Sequence, residues 1–236
     1  MSHSASSSAI GSAGSDIATA TNNSANGDKV ALIVRVPGTA SATLSSVPSG
    51  FSLLGTATNS GANYGRAETI IVYWKDETTA PGTYSVTVAG AGGTTPSLEI
   101  VSWSGRAAGA PSLVATSNAN SSASPVNCPL TGYTASAGDD VAAVVGISSP
   151  ATTGTWATTL TGYTSRQELS QNASGLGGTL ATLTKDALSA GATGTLTAVS
   201  TNTGFGDAYG LIFSMAAAAG TAYDPITACF PIGYYE

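Results

Sequence analysis

Residues able to do chemistry are few in this 236-residue chain, and their types and spacing narrow the choices. Nucleophilic catalysis by a Ser/His/Asp or Cys/His arrangement needs a positioned imidazole, and the single histidine, His3, lies in a Ser- and Ala-rich N-terminal stretch. Cys128 and Cys229 form no CxxC pair and neither has a nearby second soft ligand, so no zinc site is expected. Calcium needs only oxygens, which Asp28, Asp139, Asp140 and Asp207 would supply, but no loop has the spacing of a calcium motif and solvated turn aspartates are expected. Glycoside hydrolysis needs two carboxylates across one cleft. Glu68, Asp76, Glu99, Glu168 and Asp186 are formally available and the sequence does not pair them; Asp76 and Asp186, which follow Lys75 and Lys185, read as turn residues at strand ends. No catalytic, cofactor-binding or metal-ligating residue is therefore assigned, and a non-enzymatic protein without cofactor is expected.

Binding chemistry leaves two candidates. Trp74 and Trp103 sit in apolar strands and are expected to fill a core, whereas Trp156, between Thr155 and Ala157, is the candidate glycan contact. Near the C-terminus Phe230, Ile232, Tyr234 and Tyr235 crowd among Pro225, Pro231 and Gly233, as in a segment that needs a groove on its own domain or on a neighbouring subunit; these four are the candidate partner contacts. The two cysteines lie in similar settings, Cys128-Pro129-Leu130 and Cys229-Phe230-Pro231, which leaves both free thiols and a bridge open.

Composition sets the context for these groups. Charged residues make up 8% of the chain against roughly a quarter in an average globular domain, yet hydrophobic residues reach 42%, so the chain has apolar mass enough to fold. A surface of hydroxyls and small side chains is weakly protected against association, which points to assembly. The formal net charge is -6 and the seven Lys and Arg are scattered singly, which argues against nucleic acid as a partner. No apolar run approaches the ~20 residues that span a bilayer, so no membrane is expected. Met1-Ser2-His3-Ser4 has no cationic segment followed by an apolar one, and export by a secretory signal is not expected.

The elements that would position these groups are strands. In Val30-Ala31-Leu32-Ile33-Val34-Arg35-Val36, Val30, Leu32, Val34 and Val36 share one face and Ala31, Ile33 and Arg35 the other. Phe51 to Ala57, Glu68 to Lys75, Thr83 to Ala89 and Leu98 to Trp103 follow, separated by Gly, Pro, Asn and Ser clusters. Glu68 to Lys75 is apolar on both faces, as a central strand should be.

A second copy of the pattern follows. Gly27-Asp28-Lys29-Val30 returns as Gly138-Asp139-Asp140-Val141, an offset of 141 − 30 = 111. Phe51 matches Tyr163, the strand ending Lys75-Asp76 matches the one ending Lys185-Asp186, and Gly82-Thr83-Tyr84 matches Gly194-Thr195-Leu196, at offsets of 112, 110 and 112. The fold class expected is all-β: a jelly-roll-like antiparallel β-sandwich with an internal pseudo-twofold duplication. Residues 1–16 read as an arm that is flexible or ordered by a partner, 17–111 as the first β repeat, 112–220 as the second, and 221–236 as an aromatic tail. One shared sandwich is favoured over two small ones, because Ser112 to Ala137 is long enough to cross between sheets and Ala-rich strands alone would make a thin second core.

Pro48-Ser49-Gly50-Phe51-Ser52-Leu53-Leu54, then Val72-Tyr73-Trp74-Lys75, Ala80-Pro81-Gly82-Thr83-Tyr84-Ser85-Val86 and Ile100-Val101-Ser102-Trp103-Ser104-Gly105, together resemble a β-sandwich module recurrent in tailed-bacteriophage virion proteins. The resemblance spans about Gly27 to Gly220, with specific motifs in the first half, and departs at Phe51, where the module usually has Trp, and at Trp103, where it usually has Tyr. It implies a virion structural part and carries no catalytic residue across. The expected function is a capsid decoration subunit docked on a symmetric shell, exposed on the virion after release, partnered by a major capsid or tail protein and by copies of itself, with a trimer favoured. The alternative is a tail or fibre module that recognises a receptor glycan.

Overall fold

The computed structural model describes residues 3–61, 66–80, 82–90, 93–121, 127–148, 158–171, 177–200 and 206–218. Every regular element among them is a strand: β1 (His3–Ile10), β2 (Ile17–Thr21), β3 (Lys29–Pro37), β4 (Leu44–Ser46), β5 (Ser52–Asn59), β6 (Glu68–Asp76), β7 (Thr83–Val88), β8 (Ser97–Trp103), β9 (Ser112–Ser121), β10 (Asn127–Leu130), β11 (Thr134–Ala135), β12 (Asp140–Ser148), β13 (Thr158–Thr159), β14 (Thr164–Gln171), β15 (Gly178–Lys185), β16 (Gly191–Ala192), β17 (Leu196–Ser200) and β18 (Gly206–Met215). All pairings between them are antiparallel, and the fold is an all-β sandwich.

Two five-stranded sheets form the body, in the orders β1-β8-β3-β6-β5 and β9-β18-β12-β15-β14. Each is backed by a three-stranded sheet from its own half of the chain, β2-β7-β4 and β10-β17-β13. Strand for strand the order is the same in the two halves, and among the described residues the short β11-β16 ribbon has no counterpart in the first.

Alternation along the strands dictates the layering. On β3, Val30, Leu32, Val34 and Val36 face the small sheet and meet Ala18, Ala20, Tyr84 and Val86, while Ala31 and Ile33 face the other large sheet. On β12, Val141, Ala143, Val145 and Ile147 meet Cys128, Leu130 and Ala198, while Ala142 and Val144 turn toward the first half. The layers thus run small sheet, large sheet, large sheet, small sheet, with three apolar cores between them. Each half keeps a core of its own, and a third is shared, closed by the edge-to-face pair Trp103 and Phe213 at 5.8 Å. That arrangement differs from a single two-layer sandwich. Small Ala side chains thin each core but let the large sheets approach closely, so what the second half lacks in aromatic mass it recovers by packing on the first.

Two further expectations are corrected. Residues 3–10, expected as part of an arm, form edge strand β1, paired along its length with β8 from His3↔Trp103 to Ile10↔Ser97. Backbone hydrogen bonds to an apolar central strand hold it, and its Ser and Ala side chains are small enough to lie against β14, where the Ser6 hydroxyl donates to the Arg166 carbonyl at 3.1 Å. The stretch from Ser112, expected as a crossing between sheets, instead carries β9, the edge of the second large sheet, followed by β10. β1 lies against β14 and β5 against β9, so the edge strands exchange partners between the halves. The two chain exits also meet, with Ala107 N–H donating to the Ala216 carbonyl at 3.0 Å.

Candidate functional site

The carboxylates available from the sequence fall into two groups once placed. Asp76 ion-pairs with Lys29, which also caps the half-buried Trp74 ring at 4.6 Å, and Asp186 ion-pairs with Arg166 at 2.9 Å; both close strand ends. Glu68, Glu99 and Glu168 lie between the large sheets or at their rim.

Glu68 belongs to a buried polar clasp. Arg35 stands on the same face of β3 as Ala31 and Ile33, is wholly buried, and donates from Nε to Glu68 Oε2 at 2.9 Å and from Nη2 to Oε1. The Tyr209 hydroxyl from the second half donates to the same Oε2 at 2.7 Å, and Gln171 Oε1 accepts from Arg35 Nη1 at 3.2 Å while its Nε2 donates to the Thr95 carbonyl at 3.0 Å. Burial disfavours the Arg35 cation, but Glu68 and Tyr209 together outweigh it and hold the guanidinium above its ordinary value. Burial, reinforced by Glu68, pushes the Tyr209 phenol well up. The second half makes room with glycine. By strand register Arg35 corresponds to Gly146 and Glu68 to Gly178. A Cβ at Gly146 would lie 2.5 Å from Tyr209 Cζ, and one at Gly178 would land on the Arg35 guanidinium.

Glu99 and Glu168 interact across the same interface. Glu99 is fully buried, accepts from Thr182 Oγ1 at 2.5 Å and has no hydrogen-bond partner at Oε1 among the described residues. Burial raises it to about 8, the Thr182 bond opposing and the Glu168 charge adding. Glu168 accepts from the Thr158 N–H at 3.0 Å and is raised by burial to about 7. The pair has the raised pKa values of general acids, but a wholly enclosed Glu99 offers no face to a polymer substrate, so its role is within the interface.

Of the aspartates considered for calcium, Asp207 is buried within β18 and the other three serve turns. Asp28 accepts from Ser4 Oγ at 2.7 Å and the Ala25 N–H at 3.0 Å, Asp139 from the Ser136 N–H at 3.0 Å, and Asp140 from the Ala187 N–H at 2.8 Å, with Arg106 at 3.3 Å. Among the described residues no three His, Cys, Asp or Glu side chains are grouped closely enough to hold a metal ion. His3, half-buried beside Arg166 and Asp186, has its pKa lowered by burial and then by the Arg166 charge.

Each half also places a lysine beside aromatic rings at the end of its central hairpin. Lys75 lies 5.0 Å from the Phe51 centroid and 4.8 Å from that of Tyr84, and ion-pairs with buried Glu77 at 2.8 Å. Lys185 lies 6.0 Å from the Tyr163 centroid. Sequence reasoning matched these lysines and rings across the halves but assigned them no role.

Trp103 is fully buried, as expected of a core ring, and Cys128 is a buried free thiol. Trp156, Phe230, Ile232, Tyr234, Tyr235 and Cys229 lie outside the described residues. Comparison with protein-family models, with curated proteins and with solved structures gave no match for this chain.

Proposed function

We propose that this chain is a structural subunit of a tailed-phage virion, docked on the head shell as a decoration protein and associated with copies of itself, and that its halves are two copies of one jelly-roll-like unit. The observation that carries the reading is where the charge goes. Five of the seven Lys and Arg residues, Lys29, Arg35, Lys75, Arg106 and Arg166, are engaged in internal ion pairs, and the most deeply buried of these, Arg35 with Glu68, is hydrogen-bonded to Gln171 and Tyr209 of the second half. Such a chain devotes its polar chemistry to rigidity and leaves outer faces of Ser, Thr and Ala, which suit docking on a neighbour more than turnover. Exposed Leu53 on β5 and Leu113 on β9, the latter covering Gly55, add apolar area at one rim, as an assembling subunit needs. Matching strand order, exchanged edge contacts and paired exits support the duplication. In each half the orders β1-β8-β3-β6 with β2-β7-β4, and β9-β18-β12-β15 with β10-β17-β13, support the jelly-roll derivation.

Quantitative mass spectrometry of purified particles tests the proposal. A copy number near that of the main shell protein is expected. A handful of copies per particle would move the chain to the tail and favour glycan recognition, and absence from particles would overturn the virion reading.

A further inference from the structure

The lysine and aromatic sites of the two halves occupy matching positions but differ in charge balance. Val30 pairs with Lys75 and Val141 with Lys185, so the two lysines are equivalent in register. Beyond them the backbone closes in the same way: Glu77 N–H donates to the Asp28 carbonyl at 2.7 Å, and Leu188 N–H to the Asp139 carbonyl at 2.8 Å. The residue at the Glu77 position is therefore Leu188, reached after one extra residue, Ala187, whose φ is 50°. The buried carboxylate that neutralises Lys75 is replaced by a buried methyl-bearing side chain. Tyr84, whose hydroxyl donates to Glu77, is likewise replaced by Leu196. Lys185 is left exposed, and no described carboxylate lies within ion-pair distance of it.

A groove of about 570 Å³ opens at this lysine, lined by Tyr163, Leu188, Ser189 and Thr193 among others. One of its walls is Gly191 and Ala192, the β16 strand of the ribbon that, among the described residues, only the second half possesses. The wall is fixed: Thr193 N–H donates to the Tyr133 carbonyl at 2.8 Å and Tyr133 N–H returns to Thr193 Oγ1 at 3.0 Å. The Tyr163 hydroxyl has under 1 Å² of surface, so the tyrosine offers the groove its ring and not its polar end. An ammonium with no described carboxylate partner, an aromatic ring and the Ser189 hydroxyl in one preformed hollow match a ring-shaped ligand that carries one negative charge and several hydroxyls.

We propose that this groove binds an acidic sugar, with the carboxylate of the pyranose on Lys185 and the ring against Tyr163 and Leu188. The site goes beyond the virion reading and does not depend on it. Titration of the ¹⁵N-labelled full chain with tetragalacturonate, followed by amide shifts, tests it. Saturable shifts at Tyr163, Lys185, Ser189 and Thr193 are expected, weakening as salt rises. The fully methyl-esterified oligomer, which keeps the ring and loses the charge, should bind at least about tenfold more weakly, as should tetragalacturonate to Lys185→Gln, a tenfold change being what loss of one charge-assisted hydrogen bond produces. Lys185→Arg should retain binding. Because Lys185 is exposed these variants should fold as the parent does. Absence of saturable shifts, equal binding of the ester, or unchanged affinity of Lys185→Gln would each overturn the proposal.

Discussion

The Arg35 guanidinium occupies the space that a side chain at residue 178 would fill, and Gly178 stands at the position in the second half that Glu68 holds in the first. One half therefore carries the ion pair and the other its cavity. Gly178→Ala should displace the guanidinium from Glu68 and Gln171 and destabilise the fold by several kcal/mol, on the order of what breaking a buried pair costs. Arg35→Ala should be as damaging, about 3–5 kcal/mol, because it leaves the Glu68 carboxylate buried with the Tyr209 hydroxyl as its remaining described hydrogen-bond donor. Arg35→Met with Glu68→Leu should recover most of the loss, since replacing both partners removes the uncompensated charge. Urea midpoints of the four proteins measure the comparison.

β1 supplies a second expectation. Deleting residues 1–10 removes the strand paired to β8, the Ser4 hydroxyl bonded to Asp28, and the Ser8 hydroxyl bonded to Gln167 Oε1 at 3.2 Å. The edge of β8 that is then bared presents unpaired backbone N–H and C=O groups along Ser97–Trp103, an invitation to strand addition from another chain. The truncated protein should melt lower and elute from size exclusion as higher-order species. Unchanged melting and elution would mean that the first ten residues contribute nothing to the large sheet.

These two cases show what the sequence could reveal and why. The central strands β3, β6 and β8 were legible because their burial depends on their own side chains, branched and apolar on one or both faces. β1 was not, because a Ser/Ala strand owes its place to backbone hydrogen bonds offered by β8, which leave no mark in its composition. Arg35 was placed on the correct face, beside Ala31 and Ile33, but its partner lies 33 residues away and its cavity in the other half. The available clue was comparative: Gly146 and Gly178 stand where the first half has Arg35 and Glu68. Likewise the matched Lys75 and Lys185 were visible, whereas the loss of Glu77's carboxylate was hidden by the extra residue at Ala187, which shifts the alignment by one.

Cys128 offers a test of how tightly the second core is closed. Its thiol is buried between the large and small sheets, and burial pushes it up to about 12. Reactivity requires the thiolate. At pH 8 the folded chain should therefore show no reaction of Cys128 with Ellman's reagent over many minutes, and full reaction in denaturant; a Cys229→Ser background isolates the signal. Rapid labelling of the native protein would mean that β10 opens away from β18 on that timescale.

The carboxyl pair at the interface sets how stability depends on pH. Glu99 titrates at about 8 and Glu168 at about 7 in the folded chain, both above the ordinary value of 4.5. Between those values the unfolded chain has already released protons that the folded chain still holds, so raising the pH favours unfolding. Their contribution is complete below about pH 4.5 and is lost progressively up to about pH 8. Glu99, fully enclosed, should dominate; half-buried Glu168 is partly screened by solvent and should add less. His3, whose pKa is lowered, works in the opposite direction below its ordinary value of 6.5 and should only blunt the trend. The urea midpoint should therefore fall between pH 5 and pH 8.5, by an amount equivalent to a few kcal/mol. Glu99→Gln keeps an acceptor for the Thr182 hydroxyl while removing the ionisation, and it should flatten most of that slope. If the slope survives in Glu99→Gln, the ionisation that separates the two large sheets belongs to some other group.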